Sequence, residues 1–341
     1  MAGRKGRGGR GLILVTGASG FIGGALSLAL AQRGLPVRAV YRRQRPPAQL
    51  EKARKLGAEI VRLDLTAPGA AAQALQGVEK VVHAAALASD WGPLRMFLRL
   101  NFELTRGLAE EAERQGVKAF VYISSVVVHG FGRHVDTTEE GPYYPLIHPY
   151  QISKRQAESY VLSRNSLSFR TVAVRPGNVY GPGDTTTFYP ILEAMEKGVM
   201  GFLGGGRSLT CPVYIDDLLQ AVILCLDKDW IGGEAFDITG GEKVSWRELL
   251  EHAASLLKLP PPKLSLPIPL AYTLAFLAGG LYQLLRLRSS PPLTRYRVAQ
   301  LARDYHFSIE KAQRMLGYAP QVGWREGFRR MVAAYRKRKG R

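Results

Sequence analysis

The stretch TGASGFIG, residues 16–23, places Gly17, Gly20 and Gly23 at even spacing directly after the apolar run GLILV of residues 11–15. A chain that leaves a strand, turns on glycines and enters a helix brings free backbone N–H groups and the positive end of a helix dipole to one point. Such a point suits a pyrophosphate. Glycine turns alone are common, and this one becomes specific through its place between a first strand and a first helix. Gly17, Ser19, Gly20, Phe21, Ile22 and Gly23 are therefore expected to cradle a dinucleotide.

The pattern around this turn agrees. FIGGALSLALAQRG reads as a helix stopped at Gly34, LPVRAVYR as a second strand, and residues 47–56 as a helix. AEIVRLDL and GVEKVVHAAA follow as strands, residues 94–115 as an amphipathic helix, VKAFVYISS as a fifth strand and FRTVAVRPGNVYG as a sixth. Apolar strands alternating with helices predict right-handed βαβ units and a parallel sheet covered on both faces. The expected fold is α/β: a Rossmann-type doubly wound sheet over residues 11–180, a smaller C-terminal substrate lobe over 181–335, and basic tails at 1–10 and 336–341.

The end of the second strand bears on which dinucleotide is bound. An acid there would hold the adenosine ribose hydroxyls of NAD, but the chain reads VRAVYRRQR. Arg42 and Arg43 suit a 2′-phosphate, because a guanidinium donates two parallel hydrogen bonds. NADP is favoured, with NAD the alternative. Asp64, followed by Leu65 after the third strand, can accept from an adenine amino group. Ala84, Ala85 and Ala86 leave room for a flat cofactor.

Composition excludes other classes. Two cysteines, Cys211 and Cys225, make no disulfide framework, and neither CxxC nor Cys/His spacing suggests a metal. A reduced cytoplasmic protein is expected, since the N-terminus lacks the apolar core of a signal peptide. Part of the formal charge of +19 sits at Arg4, Lys5, Arg7 and Arg10, and at Arg336, Lys337, Arg338, Lys339 and Arg341. No nucleic-acid-reading motif accompanies these cations, so solvated tails or contact with a lipid surface is expected rather than nucleic-acid recognition. Residues 264–285, LSLPIPLAYTLAFLAGGLYQLL, carry no charge and lie between Lys263 and Arg286. That length admits a membrane-spanning helix, an interfacial or substrate-covering apolar hairpin, or a core helix. The basic flanks favour peripheral contact with an anionic membrane surface.

HPYQISKRQAE, residues 148–158, sets Tyr150 one helical turn before Lys154. Together with TGASGFIG, HAAA, YISSVVVHG, RPGNVYGPGD and VYIDD, in this order and spacing, it resembles the extended short-chain dehydrogenase/reductase family. The resemblance covers nearly the whole chain. It implies a catalytic trio of Ser125, Tyr150 and Lys154, with Tyr150, Lys154, Pro176 and Val179 also near the cofactor, and a homodimer. A phenol of pKa about 10 is a poor base at neutral pH, and a neighbouring ammonium favours its ionised form. Ser125 can hold the substrate oxygen. Asn101 matches a family position after the fourth strand, where a structural role is expected.

Sugar dehydratases of this family carry acids after the serine, whereas here Val126 and Val127 follow, which argues against dehydration. Nucleotide-sugar members commonly hold the diphosphate with an Arg where this chain has Thr210. Arg207 lies nearby and can substitute, and Asn178 resembles the sugar enzymes, so the alternative stays open. AALASDWG and the region beyond residue 264 resemble the 3β-hydroxysteroid dehydrogenase and sterol-4-carboxylate 3-dehydrogenase branch. The expected activity is NAD(P)-dependent interconversion of a secondary alcohol and a ketone on a bulky apolar substrate, such as a steroid or a long-chain β-keto acid. A nucleotide-sugar epimerase and a non-catalytic cofactor-binding regulator are the alternatives.

Overall fold

The computed structural model describes residues 11–287 and 289–340. The central sheet has seven strands: β1 (Leu12–Thr16), β2 (Val37–Tyr41), β3 (Glu59–Arg62), β4 (Val78–His83), β5 (Ala119–Ile123), β6 (Arg170–Pro176) and β7 (Glu234–Ile238). Their order is β7-β6-β5-β4-β1-β2-β3, and every neighbouring pair is parallel. The order reverses between β1 and β4, and the crevice at such a point, beyond the strands' C-terminal ends, is where this architecture binds ligands.

Helices cover both faces: α1 (Phe21–Gln32), α2 (Ala48–Lys55), α3 (Ala70–Leu75), α4 (Leu104–Arg114), α5 (Pro149–Ser163), α6 (Phe188–Glu196) and α7 (Ile215–Asp227). Successive strand residues point to opposite faces. Leu14, Val81 and Phe120 therefore pack in one core cluster, and Val15, Val82 and Val121 in another. This two-sided burial explains the unbroken apolar run of β5 and the apolar centre of β6 at Val172, Ala173 and Val174.

Several elements differ from the sequence expectation. The predicted sixth strand breaks at Gly177, after which Asn178–Tyr180 pairs with Pro212–Tyr214 instead of continuing the sheet. A Cβ on Gly177 would stand 2.2 Å from the Cys211 carbonyl oxygen, so the crossing requires glycine. β7 joins the sheet from beyond residue 180. The helix expected over 94–115 begins with Leu94–Phe97 and passes through a π-helical turn, Leu98–Glu103, before α4.

The remaining helices are α8 (Trp246–Leu257), α9 (Ile268–Leu284), α10 (Arg295–Leu301) and α11 (Trp324–Arg338). Arg336, Lys337 and Arg338 form the last turn of α11, and Lys339 pairs with Glu196, so residues 336–339 are not a free tail, while Arg341 lies outside the described residues. Residues 1–10 lie outside the described residues. The charge-free segment 264–285 is one helix, α9, preceded by a two-residue strand, and not a hairpin. It is not a core helix either, since only Ala271 and Ala275 are buried. Among the described residues, no helix is long and apolar enough to cross a membrane.

Candidate active site

The glycine turn meets the packing demands placed on it. Gly17 has φ +66°, and a Cβ there would stand 2.6 Å from the Ala85 nitrogen. A Cβ on Gly23 would stand 2.5 Å from the Gly17 carbonyl oxygen, so α1 approaches β1 only because glycine occupies both positions. No side chain caps α1 and no acid sits in its first turn, which leaves its N-terminal N–H groups and dipole available to a diphosphate.

Beside this turn lies a cleft of about 320 Å³ lined by Gly17, Ser19, Gly20, Arg42, Arg43, Asp64, Leu65, Ala84, Ala85 and Ala86. Phe21, Ile22, Gly23, Pro176 and Val179 do not line it. Phe21, Ile22 and Gly23 form the first turn of α1, Pro176 ends β6, and Val179 follows on the short strand beyond. The Asp64 carboxyl is held below its usual range by hydrogen bonds from the Thr66 amide and hydroxyl, so it is a charged acceptor at neutral pH. Leu100 and Leu104 complete a wall that the sequence reading did not assign. Their spacing of one helical turn after β4 was the available signal.

Tyr150 enters on the first turn of α5. His148 caps this helix through Nδ1, which accepts from the Tyr150 amide at 3.1 Å, and Pro149 follows at the start, where its missing N–H costs nothing. His148 Nε2 contacts the Asp90 carbonyl at 3.0 Å. The Tyr150 ring packs edge-on against Phe97 and Tyr296. Burial pushes its phenol up to about 12, and a hydrogen bond with Ser125 acts in the opposite direction. Ser125 caps the turn after β5, accepting from the Val127 amide at 3.3 Å.

Lys154 is 2% exposed; its ammonium donates to the Ile123 carbonyl at 2.5 Å and stands 4.3 Å from the Tyr122 ring centroid. Burial lowers it to about 7, with Glu158 opposing. Ser125, Tyr150 and Lys154 thus converge at the C-terminal end of β5, on the crevice side of the sheet. The buried Asn101, carried by the π-helical turn, accepts from the Leu87 amide at 2.6 Å and donates to the Leu87 carbonyl and Ser153. It fastens the loop after β4 to α5, a structural role.

A cavity of about 840 Å³ opens between residues 90–93, the start of α5 at His148 and Pro149, α9 and Tyr296. Phe276, Gly279, Gly280, Tyr282 and Gln283 form its α9 side, Leu287 follows the helix, and Gly279 leaves the helix open toward Trp91.

The sequence pattern of the NAD dependent epimerase/dehydratase family matches residues 13–238. The chain belongs to that family. It is an extended short-chain dehydrogenase/reductase of the 3β-hydroxysteroid dehydrogenase-like branch. It is 34% identical to a 2-alkyl-3-oxoalkanoate reductase of Stenotrophomonas maltophilia (strain K279a), over 94% of this chain and 98% of that one. It is 31% identical to the decarboxylating sterol-4-alpha-carboxylate 3-dehydrogenase of Mus musculus, over 77% and 75% of the two chains. Among solved structures it resembles MoeE5 in complex with UDP-glucose and NAD, with a TM-score of 0.76, 26% identity, and coverage of 96% of this chain and 100% of that chain. The glycine turn and the adjoining cleft fit the NAD(P) that this family uses.

Proposed function

We propose that the protein is an NAD(P)-dependent oxidoreductase that interconverts a ketone and a secondary alcohol on a bulky apolar substrate, of the 3-oxoacyl or 3-hydroxysterol type. The observation that carries this reading is the cavity of about 840 Å³ that adjoins the Tyr150 helix at His148 and Pro149, walled by Trp91, Phe276, Tyr282 and Tyr296. Such walls bury hydrocarbon, and Asp90, His148, Gln283, Arg286, Thr294 and Arg295 on the same lining can hold a polar end of the substrate. The nucleotide-sugar alternative would need an Arg where this chain has Thr210. Thr210 is buried and accepts from Asn178, whose amide oxygen in turn accepts from Gln300, while Arg207 lies exposed beside Gly205. The Ser125–Tyr150–Lys154 set, with a neutral phenol ready to donate, supports chemistry over a purely regulatory role.

When bound, a nicotinamide cofactor supplies or accepts the hydride. Tyr150, protonated at neutral pH, donates its proton to the ketone oxygen during reduction and recovers it during oxidation. Ser125 holds that oxygen, and Lys154 steadies the phenolate left behind. Arg42 and Arg43, on the cleft with no acid at the end of β2, favour NADP.

Nicotinamide absorbance tests the reading with NADP or NAD against 3-oxoacyl compounds, 3-hydroxysteroids and UDP-sugars. Net cofactor turnover with an apolar alcohol or ketone, better with NADP, is expected. Interconversion of UDP-sugars without net turnover would sink the proposal.

A further inference from the structure

The ammonium of Lys154 is buried without a counter-charge of its own. The side chain is 2% exposed. Glu158 stands one helical turn on, but its carboxylate accepts from the Arg175 guanidinium. Burial pushes Lys154 down to about 7, with only Glu158 opposing. A desolvated cation with no acid committed to it tends to lose its proton.

A ring stands against the ammonium instead. Nζ lies 4.3 Å from the centroid of Tyr122, a side chain of β5 that is 1% exposed. Phe120 and Tyr122 point to the same face of the sheet, into the cluster that α5 covers with Ala157 and Val161. Strand and helix therefore bring ring and ammonium together. An aromatic face carries partial negative charge, and it attracts a cation most where water is excluded. The His83 ring of β4 packs on Tyr122 at 6.0 Å and 22°. Burial, with Lys154 beside it, holds His83 neutral at about 3, so it brings no second cation to the ring. The titratable groups around Lys154 are thus Tyr150 and Glu158 on α5, Tyr122 on β5 and His83 on β4, with Arg175 behind Glu158.

The choice of a ring has a chemical reason. A carboxylate in its place would secure the ammonium, but its own negative charge would oppose the Tyr150 phenolate that Lys154 has to favour. A ring face attracts the cation and adds no net charge. We propose that Tyr122 is a positioning residue, the face of its ring keeping Lys154 in place as an ammonium inside the dry site. The Ile123 carbonyl accepts one of the three N–H groups at 2.5 Å and the ring faces another, which leaves one for the phenolate.

The test is carbon-13 NMR of the full chain labelled at lysine, without cofactor or substrate. The Lys154 signal is assigned by its loss in Lys154→Met, and its pKa is read from the titration. In Tyr122→Leu that pKa is expected to fall by about one unit or more, ~10-fold in proton affinity. Tyr122→Phe keeps the ring and is expected to hold it within a few tenths of a unit. Versions of Tyr122→Phe carrying one, two or three ring fluorines keep the shape but drain the negative face, and should lower the pKa step by step. A packing role would not produce that order. Equal pKa values across the fluorinated series would overturn the proposal, as would equal values in Tyr122→Leu and Tyr122→Phe. The fluorinated series decides the matter if Tyr122→Leu does not fold. The catalytic consequence rests on the function proposed above, whereas the titration uses neither substrate nor cofactor, so the two fail separately.

Discussion

Tyr150 shows how one side chain depends on its surroundings. Its phenol is pushed up to about 12 by burial, and only the Ser125 hydroxyl acts against this among the groups around it. A neutral phenol suits reduction, so the rate of ketone reduction should stay nearly flat from neutral to mildly alkaline pH. Alcohol oxidation needs the phenolate and should rise about tenfold per pH unit over the same range. Tyr150→Phe removes the proton donor and should lower kcat by ~10³-fold or more while leaving cofactor Kd within a few-fold. Activity near wild type would disprove the role. His83 gives a prediction for stability. It is fully buried, with Nδ1 at 2.7 Å from Thr16 Oγ1 and Nε2 at 3.0 Å from Thr105 Oγ1, and burial lowers it to about 3, with Lys154 acting in the same direction. Between pH 6.5 and about 3 the unfolded chain binds a proton that the folded one does not, so stability falls as pH falls through that window. The eventual loss is on the order of several kcal/mol. Melting curves from pH 7 to 5 should show a steeper decline for wild type than for His83→Gln, and equal slopes would refute the assignment.

At the scale of elements, the loop after β4 is held at both ends. Asn101 fastens its start through Leu87. Asp90 ties its end to the chain before α10 and to α10 itself, accepting from Ser290 and Thr294 and pairing with Arg297 at 2.6 Å. The same residue's carbonyl meets the His148 cap of the helix that carries Tyr150. Asp90→Ala should raise the KM for an apolar substrate several-fold more than it lowers kcat. It should also speed amide exchange in residues 84–93 and 289–297, and unchanged exchange there would remove the strap from the mechanism. The sequence makes the strand–turn–helix units visible because their apolar periods and glycine spacing are local. It does not show that Asn101 sits on a π-helical turn, because one extra residue in a helix leaves no composition mark. It does not decide the state of 264–285 either. Whether large or small residues of an all-apolar helix face the protein depends on neighbours distant in the chain, here Val298 and Trp91.

Across the whole molecule, a buried ion cluster joins β6 and β7 of the central sheet, the segment after β5 and the helix bearing Tyr150. Arg175, at the end of β6, donates through Nε and NH2 to Glu158 of α5 and lies 3.8 Å from Asp237 of β7. Asp237 contacts His129 at 3.1 Å, and its amide donates to Glu139. The NH2 group also donates to the Tyr143 hydroxyl at 3.2 Å. Burial opposes the charge on Arg175, but Glu158 and Asp237 outweigh it and hold the guanidinium ionised. RPG was legible in the sequence as a motif, but its partners come from four separate segments that only the fold assembles. One cation here serves two buried carboxylates, so Arg175→Met strands both. Breaking a buried pair in this way costs about 3–5 kcal/mol, and urea unfolding should show that loss. Arg175→Lys keeps the charge but cannot reproduce the planar fork to Glu158, so it should recover only part of the stability. Adding Glu158→Gln to Arg175→Met removes one stranded charge and should regain part of the deficit, a coupling that a mere packing defect would not produce. An Arg175→Met protein within about 1 kcal/mol of wild type would mean that water or proton uptake already neutralises the carboxylates, and the cluster would then not be what holds α5 on the sheet.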